Sequence, residues 1–532
     1  MRPHASALGT IAALVVVGQV RAQGMDCHRL TGKTFADAVV VTTEEVGAPV
    51  SVTSLAAGER AVSVTAPVCR IHGLVRPTDD SQINLELWLP PAGSWNGKYQ
   101  GVGNGGFIGA MMYEAMERAL RAGYAVSSTD TGHSSTLADS SWARGHPEKI
   151  VDYGWRGIHA TAVASKAIIT AYYGTSAQRS YFIGCSKGGG SAIMEAQRFP
   201  TDYNGIIAGA PGWNHSGLFA ATVWDEQTLT TNPKSWVAPA QLAVLHQAVL
   251  AACRGTNGVL DDPASCQFDA ARLQCKGAPT SNCLTAQQVA TVRKIYSGPL
   301  DANGRVLYAG LPRGSEIAWS RLMMGSETDP GVGTLLYNHA TGYLHSFLTR
   351  GVEMDLHTVI ASDAMSVARE QVGTALDATD PDLSAFKAAG GKLIHYHGWT
   401  DGAVPPGGSI QYYDSVLAKM GGAAGVQSFY RLFMAPGMDH CAGGEGPNAV
   451  GGPSNLPAPS HDPQYDIVTA LEQWVEQGRA PDSIVATRYR DNDPTKEIVA
   501  QRPWCPYPQV ARHTGRGDTH QASLYVCAAP RK

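Results

Sequence analysis

Cys185 stands immediately before Ser186 in the hexapeptide GCSKGG, and Cys441 stands immediately after His440, more than 250 residues downstream. A serine hydroxyl becomes a useful nucleophile when it lies within hydrogen-bond reach of a base, most often an imidazole. A disulfide between the two cysteines would hold such a pair together in space. Gly184, Ser186 and Gly188 also fit the pattern G-x-S-x-G, the turn by which a strand passes sharply into a helix and exposes the serine. The glycines have a steric purpose, because a side chain two residues before or after the serine would collide with neighbouring chain. The helix that follows aims its partly positive N-terminus at any oxyanion formed there. The pentapeptide by itself is not specific; a strand before it and a helix after it are the context that gives it meaning.

In that context the acid and then the base follow the serine in chain order. Asp401 lies in the loop HGWTDGAVPP after one apolar strand, and His440 lies in MAPGMDHC after the next. Both are therefore placed where successive parallel strands end at one edge of a sheet. Asp439 and Asp414 are the nearest rivals for the acid, and turn capping is the plainer role for Asp401, but its position after a strand favours it. His395 and His397 compete with His440; they precede the acid and sit in or beside a strand, where local hydrogen bonds account for them. The chemistry expected is attack of Ser186 on an ester carbonyl, with His440 moving the proton and Asp401 fixing its tautomer. Candidate oxyanion donors are the backbone N–H of Lys187 and one from the Gly105-Gly106 loop. The Lys187 side chain is read as a solvated surface charge.

The elements that must position these residues follow a strand–helix alternation. Tyr99 to Val102 leads into the glycine loop at Gly103, and Gly123 to Ser128 reads as a buried strand ending at Asp130. Ile158, Ala162, Ile169 and Tyr172 recur at helical spacing, with Gly174 as the stop. Ser180 to Ile183 is the strand that enters the serine turn, Ser191 to Phe199 is helical, and Gly205 to Ala208 is the next strand. Further strands are expected at Lys392–His397 and Ser428–Phe433. A last amphipathic helix carries Ile467, Val468, Leu471, Trp474 and Val475 on one face and stops at Gly478. This rhythm predicts an α/β fold with a mostly parallel sheet covered on both faces. From about Asn214 to Asp380 the rhythm is lost. The expected organisation is a core over residues 23–213 and 381–532 with a lid inserted at 214–380.

The N-terminus points to export. Arg2 precedes a mainly apolar stretch from Ala5 to Val17, and Val20-Arg21-Ala22 supplies small residues for cleavage after Ala22, making residues 1–22 a signal peptide. The run is too short to serve comfortably as a membrane anchor. All 10 cysteines lie beyond Ala22, and an even count suits a secreted or periplasmic chain with complete pairing. Short spacings favour Cys253 with Cys266, Cys275 with Cys283, and Cys505 with Cys527. Pairing Cys27 with Cys69 then leaves Cys185 and Cys441, although spacing does not fix connectivity. No two cysteines have CxxC spacing, which disfavours zinc, and no metal is expected. A net charge of −4 with only 16% charged residues, and no basic run, disfavours nucleic acid as a partner.

Taken together these residues resemble the tannase and feruloyl esterase family of secreted α/β-hydrolases, marked by Cys-Ser, Asp and His-Cys as in Cys185-Ser186, Asp401 and His440-Cys441. The likeness includes GNGGF at Gly103, STDTGH at Ser128, YGWRGIH at Tyr153, IAGAPG at Ile207, HGWTD at His397 and RPWCPYPQVA at Arg502. It implies an α/β-hydrolase fold with a large inserted lid, and a small aromatic-ester substrate such as a gallate or hydroxycinnamate. It also implies a bond between the cysteines beside Ser186 and His440. One branch of the family cleaves a terephthalate monoester, which stands as the alternative; a fold that has lost catalysis and only binds, a peptidase and an acyltransferase are further readings. No cofactor is required. The family's lid holds calcium in an aspartate-rich loop, but here Arg254 and Asn257 replace the first two aspartates and only Asp261 keeps its carboxylate, too few charged oxygens for a tight site. Trp319, Tyr343 and Phe347 are candidates for lining a pocket, with lid packing as the plainer role of each.

Overall fold

A computed structural model describes residues 24–47, 49–52, 61–255, 257–348 and 354–530. The signal peptide expected at residues 1–22 lies outside the described residues. The framework is a ten-stranded mixed sheet. Its strands are β1 (Thr34–Phe35), β2 (Ala38–Val46), β3 (Val68–Val75), β4 (Ile83–Leu89), β5 (Lys98–Val102), β6 (Ala125–Thr129), β7 (Arg179–Cys185), β8 (Gly205–Gly209), β9 (Lys392–Gly398) and β10 (Tyr430–Ala435). They lie side by side in the order β1-β2-β3-β4-β6-β5-β7-β8-β9-β10. From β6 through β10 every neighbouring pair is parallel, whereas β1 to β4 and the β4–β6 pair are antiparallel. The strand-by-strand reading placed the parallel half correctly, while the antiparallel extension is an N-terminal feature that the βαβ rhythm did not announce.

Strand side chains alternate between two buried layers. Tyr181 and Ile183 of β7 face one layer and Phe182 the other; Ile207 and Ile206 divide likewise in β8, and Ile394 and Leu393 in β9. On one side the sheet is covered by α1 (Gly157–Tyr173) and α2 (Lys187–Arg198) through Ile158, Ala162, Ile169, Ala192 and Ile193. On the other, Ile467, Leu471 and Trp474 of the helix Ile467–Gln477 pack against Ile207 and Ile394. Each large apolar side chain buried this way contributes about 1.5–3 kcal/mol, which is why the central strands are apolar on both faces. Gly174 and Gly478 close their helices at φ 69° and 73°, a left-handed conformation that glycine adopts without Cβ strain.

Between the adjacent strands β8 and β9 the chain makes a long helical excursion. It includes α3 (His215–Thr230), α4 (Pro239–Ala252) and α5 (Ala286–Ser297). Local signals start these helices: Asn214 accepts the Gly217 N–H at 2.9 Å, Pro239 occupies the first turn of α4, and Thr285 with Gln288 forms a capping box. The excursion has its own core, containing Leu229, Leu242, Leu245, Val292 and Trp319. A second cluster joins Phe219, Tyr343 and Phe347 of the excursion to Phe107, Trp142 and Tyr153 of the framework, so the inserted helices sit against the loops that follow the strands.

The structure pairs Cys27 with Cys69, Cys185 with Cys441, Cys253 with Cys266, Cys275 with Cys283 and Cys505 with Cys527. Among the described residues no helix is long and apolar enough to cross a membrane.

Candidate active site

Central strand β7 delivers Ser186 into a backbone conformation of φ 61° and ψ −122°, and α2 begins at the next residue. Strain of this kind costs of order 1–3 kcal/mol and persists only where surrounding bonds hold it. Here the Ser186 N–H donates to Gly209 O at 2.9 Å, and Ser186 O accepts from the N–H groups of Gly190 and Gly212 at 2.9 and 3.0 Å. A Cβ on Gly184 would lie 2.4 Å from Gly188 O, and one on Gly188 would lie 2.7 Å from Asn104 O. The turn therefore admits no side chain at either position.

Asp401 follows β9 and is fully buried. Its Oδ1 accepts the N–H groups of Ala403 and Val404 at 2.8 and 2.9 Å, and its Oδ2 accepts Nδ1–H of His440 at 2.7 Å. Burial opposes ionisation of this carboxyl, but the charge of His440 and the hydrogen bonds of His397 and His440 outweigh it and hold the group well below the usual carboxylate range. Burial likewise opposes the His440 imidazolium, and Asp401 outweighs it, so the His440 pKa is raised above 6.5. The disulfide from Cys185 to Cys441, with 6.0 Å between Cα atoms, links the residues flanking Ser186 and His440. Of the rivals, Asp439 accepts from Thr400 Oγ1 at 2.8 Å, and Asp414 is exposed on the helix Pro406–Lys419.

His395 and His397 form a buried relay behind Asp401. His397 Nε2 lies 3.1 Å from Asp401 Oδ2 and 2.9 Å from Val404 O, two acceptors that require this nitrogen to carry the proton. Its Nδ1 shares a hydrogen bond with Ser409 Oγ at 2.7 Å, Ser409 Oγ one with His395 Nε2 at 2.8 Å, and His395 Nδ1 one with the Tyr430 hydroxyl at 2.8 Å. Burial holds the His395 pKa well below 6.5. The sequence suggested local hydrogen bonds for these histidines; it did not suggest that one of them would end on the carboxylate.

Ser186 and His440 both line a cavity of about 150 Å³. Its walls are mostly apolar, with Phe107, Leu137, Leu218, Phe219 and Leu336 among them, and Tyr343 reaches it from the inserted helices. Trp319 instead belongs to the inserted core, and Phe347 stacks behind Tyr343 with ring centroids 4.9 Å apart without bordering the cavity. Gly106 borders the cavity and Gly105 does not. Neither the Lys187 N–H nor the Gly106 N–H has an acceptor among the described residues.

The Lys187 side chain corrects the sequence reading. It is 6% exposed, lies 4.5 Å over the Tyr153 ring and donates to Ser191 Oγ at 2.7 Å, because Tyr153 and the inserted helices cover what would otherwise be a surface position. At the calcium loop of the family, Asp261 Oδ1 accepts from the Arg502 guanidinium at 2.9 Å. A fixed cation thus holds the one remaining aspartate, and the residues there do not fit a calcium ion. Among the described residues the one cluster with metal-ligand chemistry is His159, Glu195 and Asp202, where Lys166 Nζ already lies 3.6 Å from Asp202 Oδ1.

The chain is similar to known proteins over most of its length. A family model described as tannase and feruloyl esterase matches residues 69–528. An uncharacterised esterase of Xanthomonas campestris pv. campestris is 38% identical over 487 residues, covering 86% of this chain and 84% of the relative. A probable feruloyl esterase B-2 of Neosartorya fischeri is 29% identical over 472 residues, 87% of each chain. The crystal structure of feruloyl esterase B from Aspergillus oryzae superposes with a TM-score of 0.84 at 28% identity, covering 93% of this chain and 98% of that one. This chain belongs to the tannase and feruloyl esterase family, and it is a carboxylic ester hydrolase of the α/β-hydrolase fold.

Proposed function

We propose that the chain is an exported serine esterase that releases aromatic, phenolic-type acids from their esters through an acyl-enzyme. The observation that carries the reading is one cavity bordered by the strained Ser186 and by His440, whose far nitrogen is held by a buried, ionised Asp401. His440 takes the proton from Ser186 Oγ as that oxygen attacks the ester carbonyl, and Asp401 stabilises the imidazolium. The N–H groups of Lys187 and Gly106 receive the oxyanion, each such donor lowering the barrier by about 3 kcal/mol. His440 then protonates the leaving alcohol, and water repeats the sequence on the acyl-enzyme. The aromatic preference is supported by the mostly apolar cavity walls, Phe107, Phe219 and Tyr343 among them, and by the names of the relatives. Export is supported by the apolar N-terminal stretch and by ten cysteines that all pair.

The test is hydrolysis of methyl gallate, methyl ferulate, chlorogenate, a terephthalate monoester and a peptide amide by the wild type and by Ser186→Ala. Ester cleavage by the wild type, loss of it in the variant with an unchanged melting temperature, and an acyl adduct on the Ser186 peptide by mass spectrometry are the expected results. Comparable activity in Ser186→Ala, or cleavage of the amide in preference to the esters, overturns the reading.

A further inference from the structure

The cavity has a polar side that the reaction above leaves unused. Lys187 Nζ has three protons to place, and among the described residues its one hydrogen-bond acceptor is Ser191 Oγ. Two turns along the same helix Glu195 is buried beside Asp202, and burial first and then that neighbouring carboxylate hold it well above the usual range, which weakens it as a counter-ion for Lys187. Tyr343, 3% exposed, borders the same cavity with its hydroxyl unpartnered, and His215 Nε2 is unpartnered there too. Buried polar groups in native proteins are nearly always paired. Two unpartnered groups and an under-used ammonium on residues that line one mostly apolar cavity are the arrangement by which a pocket orients a ligand that carries its own polar atom.

Resting on the esterase reading above, we infer that Lys187, with the Tyr343 hydroxyl and His215 Nε2, recognises an acidic oxygen on the aromatic ring of the substrate, a phenol or a second carboxylate. Lys187 is thereby a specificity-determining residue through its side chain, separately from its backbone N–H. The chemistry suits either oxygen. Burial pushes the Lys187 ammonium down to about 7, so near neutrality the group is available both as an ammonium that donates to a carboxylate and as an amine that accepts a phenolic proton. A site built to hydrogen-bond a substrate oxygen discriminates strongly against the analogue that lacks it, because its own polar groups are then left unpaired.

The experiment measures kcat/KM for methyl benzoate, methyl 4-methoxybenzoate, methyl 4-hydroxybenzoate and monomethyl terephthalate. It uses the wild type, Lys187→Met and Lys187→Gln, with melting temperatures to confirm folding. The wild type is expected to prefer the hydroxy or the carboxy ester over the methoxy ester, and which of the two it prefers identifies the oxygen. That ratio is expected to fall about tenfold or more in both variants, whatever change is common to all four esters. A ratio unchanged in the folded variants, or a wild type indifferent to the ring substituent, overturns the inference while leaving the esterase reading in place. A wild type that cleaves none of the four esters and not p-nitrophenyl acetate overturns the esterase reading itself.

Discussion

His397 Nε2 lies 3.1 Å from Asp401 Oδ2, the same carboxylate oxygen that accepts the Nδ1–H of His440 at 2.7 Å. One oxygen thus serves two imidazoles, and that of His397 is fixed by a relay through Ser409 and His395 to Tyr430. The arrangement makes His397 a positioning residue for Asp401. His397→Phe removes one donor from the carboxylate, which then holds the His440 imidazolium more strongly. The expected result is a kcat about tenfold lower with KM little changed, and an acid limb of the kcat/KM profile displaced to higher pH. His397→Gln keeps an N–H at that position and should restore the limb; a limb that stays in place in His397→Phe argues for a purely structural role.

The position of that limb in the wild type follows from His440. Asp401 raises the His440 pKa against the opposing effect of burial, and a general base works only when neutral. Activity is therefore expected to rise as pH climbs through a value above 6.5. In Asp401→Asn the charge is gone and burial remains, so the limb should move below that of the wild type while the rate falls by roughly 10³–10⁴. Kinetics across pH 5–9 on both proteins check the sign; a limb that moves upward in Asp401→Asn contradicts the assignment of Asp401.

Much of this site is legible in the sequence because each of its parts is announced locally. The glycines around Ser186 announce a turn with no room for side chains, and Asp401 and His440 each follow an apolar run that can only be a buried strand. The burial of Lys187 is not legible because burial is not local: its cover is Tyr153, earlier in the chain, and the helices inserted later. The helical content of the insertion is hidden for a related reason. Helix α3 is buried on nearly all sides, Asp225, Glu226 and Thr228 included, so its sequence carries no single apolar stripe to count. The His397–Asp401 contact lay within one quoted motif, HGWTD. A histidine and an aspartate four apart across a strand end were visible there, but not which nitrogen faced which oxygen.

Removal of divalent cations is expected to leave the enzyme unchanged. Asp261 is held by Arg502, and Lys166 Nζ lies 3.6 Å from Asp202 Oδ1, so a side-chain cation already stands where a metal ion would at either place. Prolonged dialysis against EDTA should shift neither the melting temperature nor kcat/KM for an ester substrate. A fall in either that is reversed by added calcium or zinc would place a metal in the native fold.

The bond between Cys185 and Cys441 separates two roles that a disulfide can play. Its ends are 256 residues apart in sequence, against 8 for Cys275 and Cys283, so in the chain-entropy account it restrains the unfolded state more, by about 5.5 kcal/mol against about 2.5 kcal/mol. Loss of either bond lowers the melting temperature, and the first should lower it further. Positioning is a distinct effect that persists in molecules still folded. Below both transitions, the double variant Cys185→Ala/Cys441→Ala should lose kcat by ten- to a hundredfold, because the loop that carries His440 is no longer tied to the turn that carries Ser186. Cys275→Ala/Cys283→Ala, whose bond joins neither the Ser186 turn nor the His440 loop, should keep its kcat. Equal kcat losses in the two folded variants would reduce the first bond to a stabilising cross-link, and the rate would then have to rest on the Asp401–His440 hydrogen bond and the strained serine turn alone.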